Sequence, residues 1–124
     1  MKGVVVTTDE KVEIRDFGEP LYMTVGEAVG GHIEVVHPRH LGRPLVMIVN
    51  EEGLQLRLDL NIHGSILYGT HEHGSPIVGN IVIMKEGFVN GEPDIVGLTD
   101  EEATEICVFF EKMHVEFLKI ERRH

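Results

Sequence analysis

Residues Pro44-Leu45-Val46-Met47-Ile48-Val49 form an apolar run of strand length with no polar interruption and turn signals at both ends. A strand of this kind has no face to offer to water, so it predicts a central strand covered on both sides by other structure. The chain has 124 residues, enough for one core. No repeat, low-complexity segment or composition break divides it, which predicts a single domain over residues 1–124.

Around that strand the pattern predicts several more. Val4–Val6 and the alternating Val12 and Ile14 flank the turn-like Thr8-Asp9-Glu10-Lys11, giving an opening hairpin. Leu21 to Val29 is a short helix in this reading, with Thr24 as N-cap, Glu27 in capping-box spacing and Gly30-Gly31 as its end. Ile33–Val36 is a strand stopped by Pro38. Leu54, Leu56, Leu58 and Leu60 alternate with Gln55, Arg57 and Asp59, predicting a strand with leucines inward and the polar set outward. Ile66–Tyr68 and Ile77–Met84 add two strands, separated by the Gly-rich segment 69–76. Residues 86–97, with Gly87, Gly91, Pro93 and Gly97, read as a loop.

A long helix closes the chain. Thr99-Asp100-Glu101-Glu102 matches a capping box, and Arg122-Arg123 complement the far end of the dipole. Ala103, Ile106, Cys107, Phe110, Met113, Phe117 and Leu118 form one apolar stripe, while Val108, Phe109, Val115 and Ile120 lie mostly off it. The surplus fits either a wide core-facing stripe or a subunit interface, and the reading favours oligomerisation through this helix. The expected fold is α+β: a bent, mainly antiparallel sheet of about six strands, one short helix and one long C-terminal helix.

Eleven Lys and Arg against 21 Asp and Glu give a formal net charge of -10, which disfavours holding DNA or RNA polymers by phosphate neutralisation. The charge is uneven: residues 30–80 carry five acids and three arginines, so the middle tolerates a small phosphate ligand better than the flanks do. One cysteine, Cys107, excludes an intramolecular disulfide. The opening apolar run is too short for a signal-peptide core, and no stretch approaches a membrane span. The expectation is a soluble cytoplasmic protein with no membrane partner and no cofactor.

Six of the eight histidines lie between residues 30 and 80. His71-Glu72-His73, with His63 or Asp59 as a third ligand, has the donor types of a metal site, but His-X-His in a tight Gly-rich loop equally serves backbone hydrogen bonding. The expectation is no metal. Ser65 and Ser75 sit in no nucleophile elbow, and Cys107 falls on the buried stripe as a small core hydrophobe, so no catalytic residue is assigned. Walker-type and dinucleotide motifs are absent.

A small nucleotide can still be held by an arginine on phosphate, an aromatic face on the base, and an amide or imidazole on the base edge. The residues that supply those groups are Arg57, Arg39, Asn61, Tyr68, His73, Phe88 and Asn90. Some have a plainer role too: Arg57 in a surface ion pair and Phe88 packed under its loop, while Arg39 with Arg43 makes a local basic cluster that either meets an anion or is simply solvated.

Gly30-Gly31-His32-Ile33-Glu34-Val35-Val36, Val49–Leu54 with Asn61, Leu67-Tyr68-Gly69-Thr70, Gly74–Gly79 and Gly97–Glu102 together resemble a widespread family of small phage and prophage proteins of mostly unknown function. Within it, the size, β-rich body and C-terminal helix are similar to the first Thoeris anti-defence proteins. That resemblance implies a non-enzymatic sponge. Such proteins bind cyclic ADP-ribose isomers, some bind cyclic oligonucleotides, and they assemble as dimers or hexamers with pockets near subunit interfaces. It assigns no binding residue one by one. Two other readings stand beside it: a protein-binding inhibitor of a host factor, and a His-based metal-dependent hydrolase.

Overall fold

The computed structural model describes residues 1–122, except for the side chains of residues 71, 73 and 115–122. The apolar run becomes β4 (Leu45–Asn50), and Val46, Met47, Ile48 and Val49 are all buried. It pairs antiparallel with β3 (Ile33–Val36) on one side and with β5 (Ile81–Val89) on the other. The first half of β5 pairs with β1 (Lys2–Val6), which pairs with β2 (Val12–Asp16) across the expected hairpin. Its second half pairs instead with β6 (Glu92–Val96). The result is a six-stranded antiparallel sheet in the order β2-β1-β5-β4-β3, with β6 continuing the β1 side of β5.

Helices lie on both faces, as a doubly buried strand demands. α1 (Leu21–Val29) seals one face, where Val25 and Val29 meet Val5, Ile48, Val82 and Met84. On the other face, α2 (Ile62–Tyr68) and α4 (Asp100–Arg122) cover Val4, Val6, Met47, Val49, Ile81 and Ile83, with Leu67, Ala103, Ile106 and Phe110 as the helical contribution. The capping box at α4 forms as expected: Thr99 N–H donates to Glu102 Oε1 at 2.8 Å, and Glu102 N–H donates to Thr99 Oγ1 at 3.1 Å. Cys107 packs against this core, and burial first, then the Glu111 charge, pushes its thiol pKa up, away from nucleophilic use. The predicted roles of Phe117, Leu118, Val115, Ile120, Arg122 and Arg123 in this helix fall outside the described residues.

Several expectations are corrected. Residues 54–60 form no long strand: consecutive turns run through them, with Leu56 N–H donating to Glu52 O and Leu58 N–H to Gly53 O. Leu54, Leu56 and Leu60 are exposed, because the segment wraps outside the sheet rather than joining it. Ile66–Tyr68 is the end of α2, and a one-turn α3 (Thr70–His73) follows where only a loop was expected. Strand β5 begins at Ile81, not Ile77, and the supposed loop 86–97 is the β5–β6 hairpin. Its two-residue turn, Asn90-Gly91, has φ of 52° and 79°, the positive values that a type I′ turn requires and that Asn and Gly tolerate. Thr24 lies inside α1 and donates to Gly18 O at 2.7 Å, while Pro20 holds the N-cap position.

Candidate functional site

The two faces of the sheet are covered unequally. Nine residues of helix span about 13 Å, whereas nine residues of strand span about 30 Å, and α1 and β5 have nine residues each. α1 therefore reaches Val82 and Met84 but leaves Glu86 and Phe88, the next two residues on that face, in the open.

The uncovered part is a groove of about 710 Å³ floored by Phe88, Pro93, Ile95 and Val35 and edged by Arg43, Pro44 and Glu86. Phe88 stands 76% exposed opposite Pro93 in the ladder. Glu86 holds the polar edge together: His37 Nε2 lies 2.7 Å from Oε1 and Arg43 Nη1 lies 3.9 Å from Oε2. The His37 hydrogen bond, aided by the charges of His37 and Arg43, keeps the Glu86 carboxyl below its ordinary range. Arg43 remains 75% exposed, so its guanidinium has donors left for an anion. Through Asp94 and Ile95 the groove adjoins a second hollow of about 660 Å³ at the start of α1, where Tyr22 is also exposed.

The seven sequence-derived ligand residues do not gather at one place. Phe88 is in this groove, and Asn90 is at the tip of the same hairpin. Tyr68 lines a different hollow of about 340 Å³ with Asn50, Gln55 and Ser75, beside the acids Glu34 and Glu51. Arg39 sits near it at the end of α2, where its Nε is 2.7 Å from Glu72 and the adjoining His40 N–H donates to Leu67 O. Arg57 is not on an outward strand face: it is an exposed turn residue with φ of 56°, in the segment that wraps outside.

Asn61 is a framework residue. It is wholly buried, its Oδ1 accepts from Gly64 N–H to cap α2, and its Nδ2 donates to Val6 O and Gly79 O. Those bonds engage both ends of the amide, turning it away from any ligand. The side chain of His73 lies outside the described residues, as does that of His71. Among the described residues no three His, Cys, Asp or Glu side chains are arranged to hold a metal ion.

Glu86 is the groove residue that sequence reasoning passed over, while Arg43, read there in a basic cluster with Arg39, lines this groove without Arg39. The Asn90-Gly91 turn signal would have found Glu86, since it makes 86–89 a strand and puts Glu86 and Phe88 on one face.

A helix-backed antiparallel sheet with an open groove, lined by Phe88, Arg43 and the acids Glu86 and Asp94, defines a small α+β domain. The chain matches the family described as "Domain of unknown function (DUF3846)" over residues 1–112, and it belongs to that family. No curated protein and no solved structure matches it. No helix among the described residues is long and apolar enough to cross a membrane.

Proposed function

We propose that this DUF3846 protein is a non-enzymatic phage or prophage anti-defence protein of the host bacterial cytosol, which binds and sequesters a small cyclic nucleotide immune signal. The observation that carries the reading is the pairing of Phe88 with Arg43 in one open groove. An exposed phenyl ring offers a stacking face for a base, and a guanidinium offers a fork for phosphate. The class of signal, cyclic ADP-ribose isomers or cyclic oligonucleotides, follows from the sequence resemblance to Thoeris anti-defence proteins. A sponge draws its affinity from contacts alone, with no chemical step to add discrimination. The proposal includes a homo-oligomer built through α4, on whose outer side Val108 and Phe109 are exposed.

Isothermal titration with cyclic ADP-ribose isomers and with cyclic di- and trinucleotides tests the binding. Saturable binding to one of them is expected, and silence across the panel overturns the reading. Ligand recovered intact after heat denaturation is the mark of a sponge; a cleaved product makes the protein an enzyme instead. Native mass spectrometry gives the subunit number, and a monomer removes the oligomer from the proposal.

A further inference from the structure

Among the described residues, His63 has both ring nitrogens buried and unpartnered. Set at the second residue of α2, it is 1% exposed, and neither Nδ1 nor Nε2 has a hydrogen-bond partner. Buried polar groups are ordinarily paired, and an orphaned one calls for a physical reason. The fold forces the placement. Asn61 caps α2 from within the core, and Ser65 anchors the helix to residue 77, its Oγ donating to Ile77 O and accepting from Ile77 N–H. The side chain between those anchors is pressed under α4.

What lies over His63 belongs to α4 and to the turn between β1 and β2. The Phe110 ring meets it edge-on at a centroid distance of 6.0 Å. One helical turn later, the His114 ring lies 5.5 Å away. His114 Nδ1 is in turn 3.5 Å from Oε2 of Glu10, which the β1–β2 turn holds at φ of 68°. The charged or titratable groups acting on His63 are therefore Glu10 from that turn and His114 from α4. Three separate elements meet at two imidazoles and one carboxylate.

We propose that His63, His114 and Glu10 form a proton-operated latch that seats α4 on α2 and the β1–β2 turn. With His63 neutral, its ring fills the wedge beneath Phe110 as an apolar group does. A proton taken up from solvent at a ring nitrogen of His63 puts a cation where no acceptor is waiting, beneath Phe110 and beside the His114 ring. The turn of α4 around His114 then lifts so that the cation reaches water.

The sign follows from the burial. Desolvation, opposed by Glu10 and reinforced by His114, lowers the His63 pKa from its ordinary 6.5. The unfolded chain therefore takes up the proton first as pH falls. The stabilising effect of a neutral His63 is complete above pH 6.5 and is lost as pH drops from there toward the folded value.

Hydrogen exchange of the α4 amides from Ile106 to His114 at pH 7.5 and pH 5.0, corrected for the intrinsic pH dependence of exchange, reads the latch. Protection in the natural protein is expected to fall severalfold between the two pH values. His63→Leu keeps the apolar wedge and removes the proton site, so its α4 protection is expected to hold constant. Unchanged protection in the natural protein, or the same fall in His63→Leu, overturns the latch. NMR titration of the His63 ring in the natural protein provides a second test that needs no variant. Half-protonation below pH 6.5 together with shifts in α4 supports the latch, and half-protonation at or above 6.5 overturns it.

Discussion

Phe110 and Phe88 face opposite sides of the same sheet. Phe110 is wholly buried where α4 crosses Val6, Met47 and Ile83, whereas Phe88 is 76% exposed beyond the end of α1. The difference lies in what covers them, not in the residues. α4 is 23 residues long and, with α2, closes its face; α1 has nine residues and covers part of the other. A helix shorter than the strands beneath it leaves apolar sheet in water, and chains keep such a surface at some risk of aggregation. The closed face is therefore buried along its length, whereas the other face is buried only under α1 and leaves open the groove where the proposed ligand would sit.

Substituting on the closed side should cost most. Phe110→Ala removes a ring that is fully out of water and leaves a cavity between α4 and the sheet, a loss of about 3–5 kcal/mol. Denaturant unfolding at pH 7.5 measures it, and a loss under about 1 kcal/mol would show that the two faces do not differ as described. Next comes Asn61→Ala, which strands Gly64 N–H and the carbonyls of Val6 and Gly79. Its expected cost is about 2–3 kcal/mol in the same assay. Ligand affinity should be unchanged, because this amide faces the framework and not the groove.

How far the sequence revealed this division depends on the kind of signal each element carries. β4 and the capping box of α4 were legible because each has one dominant physical requirement: burial on both faces for the strand, paired orphan N–H groups for the helix start. The leucines of residues 54–60 misled because alternation measures amphipathicity only if the segment joins a sheet, and this one turns back on itself after Gly53. α2 was hidden in the apolar trio Ile66-Leu67-Tyr68, whose period is too short to separate strand from helix. Asn61 was the missed sign, as an N-cap placed just before the helix. At the open face the residue type of Phe88 was legible, but not its neighbours. Arg43 lies more than forty residues away in sequence and reaches the groove only through the β4–β5 pairing.

A smaller effect separates helix start from helix body. Thr99→Ala removes the acceptor for Glu102 N–H at the exposed beginning of α4 and should cost about 1 kcal/mol, readable as a modest shift in the unfolding midpoint. If it costs as much as Phe110→Ala, α4 is held by its end rather than by the face it buries.

Phe88→Ala should change stability least of all, by no more than about 0.5 kcal/mol, since the ring is mostly in water already. That near-silence makes it the sharpest probe of the comparison. The same substitution, Phe to Ala, is made on the two faces; on the closed face it should threaten the fold, and on the open face it should leave the unfolding curve in place. If Phe88 stacks on a base, the variant should lose roughly 1–3 kcal/mol of affinity for whichever cyclic nucleotide the natural protein binds, at least about a fivefold rise in Kd. Calorimetric titration of the two proteins side by side decides it. Full affinity in Phe88→Ala would move the ligand out of this groove, and the 340 Å³ hollow at Tyr68 would then be the next place to substitute.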